Sequence, residues 1–182
     1  MRVGLEFLPG DVIVFELSGY GILKPVVRWL LGSNYGHIGI FFAYTKRGLP
    51  LIIESIGRGV LIRSLLASQG RTVRVMRWKG DDHKEVGVKA AKMAEKLADS
   101  PGSWYGYFDI PRYVIPRLIW QKLTGKKEGF GYAHNPFFIC SELVGKAYYD
   151  AGYPLFDEHD YIKLPGDFAT NDKLKRVWEG QL

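Results

Sequence analysis

The sequence predicts an α+β fold in which a sheet is laid down first and helices follow. Two observations carry that prediction. Over the first eighty residues, short apolar or alternating runs are separated by turn-forming stretches such as TKRG and IGRG. After Gly80 the apolar spacing becomes helical, and strand and helix patterns do not alternate as they would in a parallel βαβ array.

The predicted strands are DVIVFEL, HIGIFFAY, LPLIIES, GVLIRSL and TVRVMRW. Between the first two, Ile22, Val26, Trp29 and Leu30 recur at helical spacing after Gly19 and Gly21. Pro25 suits a first helical turn, so a short helix is expected there. Val86, Ala90, Ala94 and Leu97 form one stripe behind Asp82 and Glu85, a capping pair, which predicts a helix from about residue 82 to 98. Residues 100 to 135 mix aromatics, Gly, Pro and Lys, and are expected to form a long excursion with a helical piece around Tyr113 to Leu123. Cys140, Val144, Ala147, Tyr148 and Ala151 form a last stripe, stopped by Gly152 with Pro154 just beyond. Cys140 therefore opens a helix.

Bulk composition bounds the possibilities. A chain of 182 residues with 47% hydrophobic content suffices for one well-buried core, so one domain over residues 1–182 is expected. A lone cysteine excludes an internal disulfide, and the start MRVGLEFLPG lacks the pattern of a secretory signal, so a reduced, cytoplasmic setting is expected. No stretch approaches the roughly 20 apolar residues needed to span a bilayer. With 25 Lys and Arg against 19 Asp and Glu the net charge is +6, which either solubilises the surface or suits an anionic partner. Peripheral contact with an anionic surface fits that charge; nucleic acid is disfavoured, because no recognised nucleic-acid motif is present.

The single thiol raises the question of chemistry. First-turn N–H groups and the helix dipole stabilise negative charge, so the head of a helix is a favourable place for a nucleophilic sulfur. On composition alone a free Cys among Phe137, Phe138, Ile139 and Leu143 is more often a small buried hydrophobe. The decision rests on a base. His83 falls in the first turn of a solvent-facing helix and His159 lies in the acidic loop DEHD, while His134, six residues before the thiol, is a spare candidate, although a tight loop rarely orients an imidazole across a cleft. His37 is better placed, between the loop GSNYG and the strand IGIFF, where a sheet holds the backbone while the side chain faces a cleft. If the next hairpin turns about Thr45 to Arg47, Glu54 comes near His37 on the same face. A carboxylate in the apolar run LIIESI needs water or a partner, and both readings stand open at this point.

Taken in order, the segments GDVIVFE, SNYGHIGIF, IIESIGRGV, GSWYGYFD, ICSELVGKAYYDAG and LPGDF resemble the circularly permuted branch of the NlpC-type papain-like cysteine hydrolases, the group of YiiX-like proteins and lecithin:retinol acyltransferase relatives. The resemblance runs from about Leu8 to Phe168. In unpermuted members the Cys helix precedes the His strand; here the order is reversed. The resemblance implies a papain-like α+β fold, an antiparallel sheet or partial barrel packed on helices, with an aromatic and basic insert at about 104–135. It implies Cys140 as nucleophile, His37 as base and Glu54 as the third polar residue, a place where many unpermuted members carry His. It also implies Tyr105, in GSWY, as a helper in holding the oxyanion, with Tyr107 as the alternative. Ile139 departs from the family, whose unpermuted members have Asp before the Cys.

The implied activity is that of a thiol protease-like hydrolase, a cysteine peptidase or amidase working through an acyl-enzyme. It requires no metal or organic cofactor. The implied substrates are cell-wall peptides or acyl and lipid-like compounds, with thioesterase or acyltransferase chemistry as the alternative. If Cys140 were inert, the basic and aromatic residues would instead describe a non-catalytic module for an anionic polymer.

Overall fold

Val12–Glu16 forms β1, four of whose five residues are buried, because the strand carries an apolar core on each of its faces. The computed structural model describes residues 6–19, 21–57, 59–100, 115–125, 139–156 and 163–182. After a 3₁₀ turn at Gly21–Leu23 comes α1, Lys24–Leu31, with Pro25 in its first turn. Three strands follow, β2 (Tyr35–Tyr44), β3 (Pro50–Ile56) and β4 (Gly59–Ser64). A 3₁₀ turn at Leu65–Ser68 then leads to β5, Thr72–Trp78. The helices α2 (His83–Asp99), α3 (Ile115–Thr124), α4 (Cys140–Asp150) and α5 (Pro165–Ala169) precede a last strand, β6, Leu174–Gln181.

The six strands make one open antiparallel sheet in the order β4-β3-β2-β1-β5-β6. This is the expected α+β architecture. Alternation along the strands divides the core in two. Val12, Val14, Ile38, Ile40 and Ile53 pack beneath α2, α4 and α5, against residues such as Val86, Ala90, Leu143, Ala147, Tyr148 and Phe168. Ile13, Phe15, Phe41, Ile52, Val73 and Val75 fill the other face together with Phe7, Leu65 and Leu182. Leu65, just beyond β4, and Val177 and Trp178 of β6 join this second cluster from either side.

Small residues let the helix layer come close. Gly87 of α2 faces the turn at Pro9 and Gly10, and a β-carbon at position 87 would collide with the Pro9 carbonyl. The Tyr148 hydroxyl donates to the Gly10 carbonyl at 2.7 Å, tying α4 to the same turn. Beside it, Arg77 grips the fully buried Asp11 through Nε–Oδ1 at 2.7 Å and a second guanidinium nitrogen at 2.8 Å from Oδ2.

Three expectations differ in detail. Asp82 stands at the N-cap of α2 as expected, but its side chain makes no capping hydrogen bond: its Oδ1 accepts from the Trp78 indole at 3.0 Å, and Glu85 pairs with Lys89 one turn on. The stripe of Ile22, Val26 and Trp29 is helical as expected, but it faces solvent instead of the core. β6 falls in a segment for which no strand was predicted. The helix expected around Tyr113 to Leu123 is α3; the rest of the 104–135 insert lies outside the described residues.

Candidate active site

The site is assembled from the head of α4 and the β2–β3 pair. Ile139 is the N-cap, in extended conformation, and Glu142 reaches back to accept its backbone N–H at 3.0 Å. That contact satisfies one donor at the helix start and fixes the first turn, with Cys140 as its first residue. Val144, Ala147 and Tyr148 anchor the same helix in the core. At the far end Gly152, at φ 88°, ends it with Gly152 N–H to Tyr149 O and Tyr153 N–H to Tyr148 O, the paired bonds of a left-handed helix stop.

Across the sheet, the pairing of Ile40 with Ile53 sets the phase of β2 against β3. His37 and Glu54 are each an odd number of residues from that pair, so both project to the same face, diagonal to one another. Their side chains meet: His37 Nε2 lies 2.6 Å from Glu54 Oε2. Phe15, the cross-strand partner of His37, packs on the imidazole with ring centres 5.4 Å apart. The Cys140 thiol is the other polar group that acts on the imidazole, and its proximity works to raise the His37 pKa. Because Nε2 is occupied by the carboxylate, Nδ1 is the nitrogen left for the sulfur. The body of α4 packs on the face of the sheet opposite His37.

Glu54 is almost wholly buried, at 3% exposure, and its charge is matched on both oxygens. Oε1 lies 3.0 Å from Arg63 Nε on β4, while Oε2 faces His37. The sequence alone did not single out Arg63. Its signal is the pairing of Ile52 with Arg63 and of Glu54 with Leu61, which places Arg63 on the face of Glu54, one strand over.

The electrostatics follow from these contacts. Burial disfavours a charged imidazole, but hydrogen bonds to Cys140 and Glu54, and the electrostatic attraction of the same two groups, outweigh it and raise the His37 pKa from 6.5 to about 9. For Glu54, burial works to raise the pKa; the hydrogen bond and charge of His37, with the charges of Arg63 and Arg71, win and lower it. Both shifts describe one arrangement, an imidazolium held against a carboxylate.

Of the residues singled out in the sequence, Cys140, His37 and Glu54 come together. His83 heads α2. Tyr105, Tyr107, His134 and His159 lie outside the described residues. Among the described residues, no group of three or more His, Cys, Asp or Glu side chains is placed to hold a metal ion, and no helix is long and apolar enough to cross a membrane.

No protein-family model matches the chain, and no curated protein sequence does either. Among solved structures, the chain is similar to the crystal structure of the metalloprotein YiiX from Escherichia coli O157:H7, with a TM-score of 0.59 and 16% identity. The match covers 96% of this chain and 99% of that one. At that identity the likeness establishes a shared fold, the open antiparallel sheet with its layer of helices.

Proposed function

We propose that this protein is a cysteine hydrolase of the circularly permuted NlpC-type papain-like family, cleaving amide bonds through a Cys140–His37–Glu54 triad. The observation that carries the reading is the His37 imidazole held 2.6 Å from the buried Glu54 carboxylate, with the Cys140 thiol at a helix head acting on that imidazole's charge. In the first half-reaction the thiol proton already resides on His37, and the Cys140 sulfur attacks the carbonyl carbon. The tetrahedral intermediate collapses with breakage of the C–N bond, and His37 gives its proton to the departing amine. A water then loses a proton to His37 and attacks the thioester, releasing the acid and restoring the thiol. The backbone N–H at Cys140 faces the developing oxyanion, and Tyr105 is proposed as a second donor. Losing one such donor typically costs about 10²- to 10³-fold in rate.

Glu54 steers. Its negative charge keeps the imidazole in one orientation and stabilises the imidazolium without itself taking the proton. Arg63 holds the second carboxylate oxygen, so the acid cannot rotate away from His37.

YiiX is described as a metalloprotein. The donors at this site do not fit a metal ion: both Glu54 oxygens are engaged, one of them by a guanidinium, and a cation beside Arg63 would be repelled. No step is routed through a metal.

Thioesterase or acyltransferase chemistry would use the same acyl-enzyme, with a thiol leaving or another acceptor replacing water. One observation favours lipid-like acyl donors, the apolar and basic surface of α1 and α3. The test is turnover on a panel of wall-peptide amides, acyl amides, acyl thioesters and acyl esters, with parent, Cys140→Ser, His37→Ala and Glu54→Gln. The reading predicts abolition by the first change, loss of about 10³-fold or more in kcat by the second, and a smaller loss by the third. Activity that survives Cys140→Ser would end it.

A further inference from the structure

The helical stripe beginning at Ile22 has the spacing of a core-facing surface, yet it is presented to solvent. Ile22 is 95% exposed, Leu23 60%, Val26 59% and Trp29 57%, and on the neighbouring helix α3 Leu123 is 76% exposed. α1 and α3 touch each other through their other sides, where Leu30, Leu31 and Leu118 pack together with Ile139 and Leu164. The outward apolar side chains are thus not spare core residues displaced by a poor fit. The helices bury one side and offer the other.

Charge marks what this face would meet. Residues 21–34 and 113–127 contain no Asp or Glu. Lys24, Arg28 and Lys122 line an open cleft of about 770 Å³ between α1 and α3, together with Trp29, Ser33 and Asn34, and among the described residues no acidic side chain lines it. Lys122 Nζ sits over the Trp29 ring, 6.0 Å from its centre, which brings a cation of α3 onto an aromatic of α1. A large apolar area edged by cations, with a Trp at the boundary, is the surface of a helix that lies in a lipid interface. A second copy of the chain would bring the same three cations against each other, which argues against self-association through this face.

We propose that the α1–α3 face is a docking surface for an anionic lipid bilayer, with Ile22, Val26 and Leu123 entering the acyl boundary and Lys24, Arg28 and Lys122 at the level of the headgroup phosphates. Gly32 ends α1, and the chain runs from Ser33 and Asn34 in the cleft directly into β2 and His37. Docking therefore brings the lipid surface to the segment that positions the base. The inference stands on the surface alone and not on the hydrolase reading, because membrane binding does not require a reactive thiol.

The test is co-sedimentation of the purified full chain with vesicles of phosphatidylcholine alone and of equal parts phosphatidylcholine and phosphatidylglycerol. The parent is expected to bind the anionic vesicles and not the neutral ones, and Cys140→Ser to bind as the parent does. Lys24→Glu with Arg28→Glu should weaken binding more than about tenfold, given the contribution of each basic residue near an anionic surface. Ile22→Ser with Leu123→Ser should weaken it by a similar factor. All four positions are exposed, so circular dichroism and the thermal midpoint should stay at parental values. Absence of binding to the anionic vesicles, or binding that both variants retain, overturns the proposal. So does a dimer of the parent that Ile22→Ser with Leu123→Ser dissolves, since the face would then belong to a second copy.

Discussion

Glu54 Oε2 lies 2.6 Å from His37 Nε2, inside a protein that has placed Arg63 on the other oxygen of the same carboxylate. The three side chains come from three adjacent strands, β2, β3 and β4. A buried carboxylate alone would favour its neutral form, and a buried imidazole likewise; each is held charged by the other.

The pH dependence follows from the direction of these shifts. The folded His37 pKa, about 9, lies above the ordinary 6.5, so the stabilisation of its protonated form is fully present below pH 6.5 and is lost as pH rises through about 9. Glu54→Gln removes the carboxylate's contribution and should bring the imidazole titration down toward 6.5. Proton NMR of the imidazole in parent and variant reads this directly, and an unchanged midpoint would contradict the contact as the source of the shift.

Arg63 is expected to act through Glu54. The folded Glu54 pKa is lowered, so its stabilising contribution is present above its ordinary value of 4.5 and lost as pH falls through the folded pKa. Arg63→Gln weakens the depression, and acid unfolding should therefore begin at higher pH than in the parent. Arg63→Lys should restore part of the difference. A structural role unrelated to the carboxylate would move stability equally at all pH values.

The buried pair of Asp11 and Arg77 is a separate matter of stability. Asp11 also accepts the Leu8 backbone N–H at 2.8 Å, so Asp11→Ala leaves both a guanidinium and an amide without their partner. The cost expected for breaking a buried pair is about 3–5 kcal/mol. Urea titration measures it, and a change under about 1 kcal/mol would show that water replaces the carboxylate readily.

The five strands from DVIVFEL to TVRVMRW were legible because each is an apolar run bounded by turn residues, and β2, β3 and Glu54 followed from one hairpin. β6 was not. LKRVWEGQ carries Lys, Arg, Glu and Gln on an edge strand that is only partly covered, so neither alternation nor a continuous apolar run marks it. The α1 stripe gave the helix but not its orientation, because periodicity reports that a face is apolar without reporting what covers it. Asp82 was legible as the N-cap position but its side chain makes no capping bond, because a nearby indole takes its carboxylate, a contact made in three dimensions. Arg63 was silent for a related reason: a half-exposed Arg on a strand has no sequence mark until the register places it beside Glu54.

The central claim is that Cys140 is a nucleophile served by His37. Its most direct test is the mass of the intact protein after brief exposure to the amide and acyl-ester panel, followed by mapping of the modified residue. The account predicts a single acyl adduct on Cys140 that decays on dilution in the parent, and no adduct in His37→Ala over the same interval. A thiol that stays unmodified by every compound in the folded protein, and reacts only after denaturation, would contradict it and leave Cys140 as a core residue.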